Sequence, residues 1–83
     1  MMASVFGPLY LRDVAGLPRD LRGRVAEIVR DIERSPEPDG IYKRALPPPF
    51  KPGTIAAVAH GLSVRYSIEA DGLRFYRVQV VDL

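Results

Sequence analysis

Apolar and polar residues alternate strictly from Leu62 to Glu69. Leu62, Val64, Tyr66 and Ile68 stand against Ser63, Arg65, Ser67 and Glu69, the period of a strand with one buried face. Asp71-Gly72 follows, a short-range hairpin signal because glycine accepts the positive φ of tight turns. Leu73 to Val81 then carries Leu73, Phe75, Val78 and Val80, so the alternation slips by one residue between Phe75 and Val78. A β-bulge, or a strand covered on both faces, produces such a slip. Thr54 to His60 reads as a third strand, weakened by its alanines, and Ser4-Val5-Phe6 as a brief edge strand.

A different period governs the first half. Leu21, Val25, Ile28, Val29 and Ile32 form one stripe of an amphipathic helix, opened at Pro18, favoured by Asp20 in its first turn and ended by Ser35-Pro36. Leu9, Tyr10, Leu11, Val14 and Leu17 have helical spacing, which predicts a shorter helix over 8–16 with Pro8 at its start and Gly16 as its stop. Two helices on so short a link should form a hairpin. The fold class expected is α+β: a two-helix hairpin packed on one face of a small antiparallel sheet of three or four strands, in one domain spanning residues 1–83.

Between the halves, residues 35–53 hold six of the eight prolines and read as a stiff crossing loop. Its Pro47-Pro48-Pro49 run favours polyproline II.

Composition narrows the functional classes. No cysteine occurs in the 83 residues, which excludes disulfides, thiolate metal sites and a cysteine nucleophile. No run of about 18 apolar residues is present, so no membrane span is expected. The N-terminus lacks a basic region ahead of an apolar core, so the chain is expected to stay in the cytoplasm. Net charge is +2, yet ten of the twelve basic residues are arginine, whose planar fork suits phosphate and carboxylate. Acids are interspersed among the bases, so this balance forces no non-specific nucleic-acid binding. His60 stands alone at a strand end without ligand-spaced companions, so no metal or other cofactor is expected. His60 and Ser63 have no orienting acid for nucleophilic catalysis, and no glycine-rich phosphate loop occurs.

The order of segments resembles a known family. Leu11-Arg12-Asp13-Val14-Ala15-Gly16-Leu17-Pro18-Arg19-Asp20-Leu21-Arg22, then a helix leaving through Ser35-Pro36-Glu37-Pro38-Asp39-Gly40, resembles the helical half of RelE/ParE-type toxins. Tyr42-Lys43-Arg44-Ala45-Leu46 is similar to that family's basic-plus-Leu segment, and Gly61-Leu62-Ser63-Val64-Arg65-Tyr66-Ser67-Ile68 to its Gly-Tyr-Arg-Val-x-Tyr-x-Ile strand. The resemblance implies the toxin of a type II toxin–antitoxin pair, with a cognate antitoxin as partner and possible homodimerisation. The target would be the ribosome and its mRNA, cut by an endoribonuclease, or DNA gyrase, blocked by binding. Cleavage would need a group to activate the ribose 2′-hydroxyl and cations to stabilise the phosphorane. The implied catalytic residues are Lys43, Arg44, Arg65, Tyr66 and Arg77, with Tyr42 or His60 as further proton carriers. Lys43, Arg44, Lys51 and Arg65 are the implied nucleic-acid-binding set. The chain departs from the pattern at Ser63, where the family carries arginine, at Ala56, Ala57 and Ala59, and in stopping at Leu83. These departures favour binding over cleavage, and the alternative is a non-catalytic interaction module that keeps the fold.

Overall fold

The computed structural model describes residues 3–81. Strand β1 (Ala3–Phe6) leads into helix α1 (Pro8–Ala15) and helix α2 (Arg19–Arg34). Strands β2 (Lys43–Ala45), β3 (Thr54–Ala59), β4 (Leu62–Glu69) and β5 (Gly72–Val80) follow. The strands form one sheet in the order β1-β5-β4-β3-β2. The α+β class and the two helices are as expected, but the sheet is not a three- or four-stranded antiparallel one. It has five strands and is mixed, because β1 runs parallel to β5, whereas β2, β3, β4 and β5 pair antiparallel.

Strand β2 is the element that alternation could not reveal. Three residues, Lys-Arg-Ala, carry no period, and they lie in the proline-rich segment. Their conformation is set by Asp39, whose Oδ1 accepts the backbone N–H groups of Ile41, Tyr42 and Lys43 at 2.8, 2.9 and 3.0 Å. These bonds turn the chain so that Lys43 pairs with Ala57 and Ala45 with Ile55. The N–H donors hold the Asp39 carboxyl below the usual carboxylate range, the Lys43 N–H contributing most.

One face of the sheet carries the core. Ile55 and Ala57 from β3, Leu62, Val64 and Tyr66 from β4, and Leu73, Phe75 and Val78 from β5 pack with Tyr10, Val25, Ile28, Val29 and Ile32 of the helices. The slip in alternation is a bulge: Arg65 pairs with Arg77 and Tyr66 with Phe75, leaving Tyr76 as the extra residue. Phe75 and Val78 can therefore both enter the core. Phe6, Tyr10 and Phe75 cluster with ring centroids 5.0–5.8 Å apart, and Tyr66 lies 5.9 Å from Phe75. The Tyr66 hydroxyl donates to the Pro36 carbonyl at 2.6 Å, tying the exit of α2 to the centre of the sheet.

The two hairpins differ in how they turn. Ala59 pairs with Leu62, with His60 (φ 55°) and Gly61 (φ 73°) at the centre, the two positive values of a type I′ turn. In the second, Glu69 pairs with Gly72, so the centre is Ala70-Asp71 and not Asp71-Gly72. Gly72 instead opens β5 at φ 152°, where a Cβ would stand 2.1 Å from the Ala3 carbonyl oxygen. Glycine is needed there for the approach of β1. No helix among the described residues is long and apolar enough to cross a membrane. Leu83, where the expected terminal departure falls, lies outside the described residues.

Candidate functional site

The face of the sheet turned away from α2 is open, and it carries an arginine row. Register places Arg44 beside Ala56, Ala56 beside Arg65, and Arg65 beside Arg77; laterally paired residues share a face. The bulge adds Tyr76 to this face next to Arg77, and its hydroxyl shares a 2.8 Å hydrogen bond with Ser67 Oγ. A cavity of about 380 Å³ opens there, lined by Leu9, Phe50, Lys51, Arg65, Tyr76 and Arg77 among others. Leu9 comes from α1 and Phe50 from the proline-rich loop, so two apolar side chains flank a basic floor.

The two arginines of the cavity are held differently. Arg77 donates to Asp13 through Nε at 2.8 Å and Nη2 at 3.3 Å. Asp13 Oδ2 also accepts the Val78 N–H at 2.9 Å, filling a ladder position beyond the last residue of β1. These donors, the Arg77 guanidinium first, hold the Asp13 carboxyl below its ordinary value, and Asp13 in turn raises Arg77. Among the described residues Arg65 has no such carboxylate. Its guanidinium carbon lies 5.3 Å from the centroid of the Phe50 ring, and its buried Nε has no hydrogen-bond partner among the described residues.

The residues singled out in the sequence do not all converge. Arg44, Arg65 and Arg77 share the open face, and Lys51 lines the cavity. Lys43, although next to Arg44, faces the helices: it is 5% exposed, and its Nζ lies 3.0 Å from Asp31 Oδ2. Tyr66 is fully buried on the helix side, and burial pushes its hydroxyl far above the ordinary tyrosine value. Tyr42 and His60 line a separate, largely apolar cleft of about 420 Å³ between α2 and β3. Strand parity separates these groups, and a one-residue step between Lys43 and Arg44 is enough to do it. Asp13 and Phe50, which shape the cavity, gave no sequence signal beyond their residue types, because their roles depend on contacts 64 and 15 residues along the chain.

No family model and no curated protein matches the chain. Solved structures do, among them two complexes. The toxin–antitoxin complex RelBE2 from Mycobacterium tuberculosis is similar at a TM-score of 0.80 and 22% identity, over 95% of this chain and 96% of the matched chain. The RelB–RelE antitoxin–toxin complex from Methanococcus jannaschii is similar at 0.64 and 16% identity, over 92% and 88%. The fold is one found in RelB–RelE complexes. The toxin identification made from sequence is corrected by these neighbours, which stand on the RelB, antitoxin, side. The roles of mRNA endoribonuclease and gyrase blocker are set aside with it. So are the toxin fold that has lost its activity and the antitoxin as partner. The sequence misled because short helices, a Leu-Pro step and an Arg-Tyr strand describe a packing pattern, and a packing pattern does not assign a role.

Proposed function

We propose that this chain is a protein-binding member of a toxin–antitoxin pair, that it takes the antitoxin side, and that its partner is a toxin. The observation that carries the reading is the likeness over nearly the whole length to chains of two such complexes. The open sheet face supports it as the place of contact, since basic groups between apolar walls suit a protein surface that combines charge with burial. In this reading Arg44, Lys51, Arg65 and Arg77 belong to the contact face. Lys43 and Tyr66 hold the fold instead.

The test is growth of a bacterial host expressing this chain alone, its genomic neighbour alone, or both. The expected result is normal growth with this chain, arrest with the neighbour, relief on co-expression, and co-purification of the two. Arrest by this chain alone, with relief by the neighbour, would overturn the assignment.

A further inference from the structure

Arg65 and Arg77 are direct cross-strand partners on the open face, an arrangement that like charges make unfavourable. One of the two is answered within the chain, because Asp13 takes Nε and Nη2 of Arg77 in a two-point contact. The other is not. Arg65 keeps a buried Nε without a hydrogen-bond partner among the described residues, and a buried donor left unpaired is costly. Its guanidinium packs against Phe50, a contact that fixes the direction of the fork. The cavity thus has one arginine already carrying a carboxylate and a second, pre-oriented, carrying none among the described residues.

We propose that Arg65 is the anchor for a carboxylate side chain from an acidic segment of the protein partner, seated in this cavity with apolar neighbours against Leu9 and Phe50. The inference rests on the partner-binding reading above and adds the chemistry of the partner's segment. Both walls are accessible, Leu9 at 43% and Phe50 at 38% exposure. A nucleic-acid strand fits the cavity less well. Asp13 already places a negative charge beside Arg77, and Arg65 packs against the Phe50 ring on which a base would stack. The Tyr76 hydroxyl is engaged with Ser67. A protein carboxylate, by contrast, is the group that Arg77 already holds in the same cavity, and the Arg fork matches it in two-point geometry.

The experiment titrates fluorescein-labelled 10-residue peptides into the purified chain and follows polarisation. One peptide alternates Glu and Leu, a control alternates Gln and Leu, and an oligouridylate of ten nucleotides is run alongside. The acidic peptide should bind at least tenfold more tightly than the Gln control, and Arg65→Met should remove that difference. Phe50→Ala, in a loop outside the core, should weaken the acidic peptide several-fold while leaving the circular dichroism spectrum unchanged. Equal binding of the Glu and Gln peptides would overturn the inference, as would tighter binding of the oligouridylate. If Arg65→Met still co-purifies with the genomic neighbour at undiminished affinity, the carboxylate anchor fails while the partner-binding reading stands.

Discussion

Asp13 joins the first helix to the bulged half of β5, and removing its carboxylate tests how that edge is held. The group accepts from Arg77 Nε, Arg77 Nη2 and the Val78 N–H. Its side chain is 13% exposed, and that of Arg77 is 30% exposed, so water can replace little of what Asp13→Ala takes away. A hydrogen bond to a charged group contributes about 1.5–3 kcal/mol, and an orphaned N–H adds a further penalty offset by partial access of water. The variant should lose about 2–3 kcal/mol of unfolding free energy at neutral pH, or roughly 10–20 °C in Tm for a chain of this size. Asp13→Asn keeps an acceptor for Val78 and should lose about half as much. Urea unfolding at fixed slope measures both. The carboxyl is held below its ordinary value in the folded state, chiefly by the Arg77 hydrogen bonds. Its contribution is therefore present above the unfolded value of about 4 and is lost as pH falls through the lower folded value. The gap between native chain and Ala variant should narrow as pH falls from the unfolded value of about 4 through the lower folded one. A deficit under about 0.5 kcal/mol, within the range of an ordinary surface change, would refute the reasoning. So would a deficit unchanged from neutral to acid pH.

Gly72→Ala should cost about 2–4 kcal/mol through positive-φ strain and crowding. The new Cβ meets the Ala3 carbonyl, so faster amide exchange across Ala3–Phe6, with Tyr66 and Val64 still protected, would show that the loss is the docking of β1. The buried Lys43 and its partner should respond unequally to mutation. Lys43→Met replaces an ammonium-bearing side chain 7% exposed by an apolar chain of similar length and should stay within about 1 kcal/mol. Asp31→Ala strands that ammonium and should cost about 2 kcal/mol, less than a fully buried pair because Asp31 is 60% exposed. Equal losses by thermal melting would argue against this account.

Local patterning determined much of this protein. The stripe of Val25, Ile28, Val29 and Ile32 fixed the face of the long helix, and the alternation from Leu62 to Glu69 fixed the central strand. The displaced alternation after Phe75 allowed a bulge or a strand covered on both faces, and the β4–β5 register shows it to be a bulge. Tertiary contacts decided the rest. The short strands at the two sheet edges carry too few residues to show a period: β1 exists through the distant, bare Gly72 backbone, and β2 through the local Asp39 turn and its pairing with β3. The site was legible as residue types only. Arg44, Arg65 and Arg77 meet because three strands register, while Lys43 is turned to the other face by a single step in parity. Asp13, 64 residues from Arg77 in sequence, neutralises that arginine of the row and not Arg44 or Arg65. A charge in a sequence has no partner until the chain folds, so the sequence supplied the cations and the tertiary structure decided which of them a carboxylate among the described residues answers.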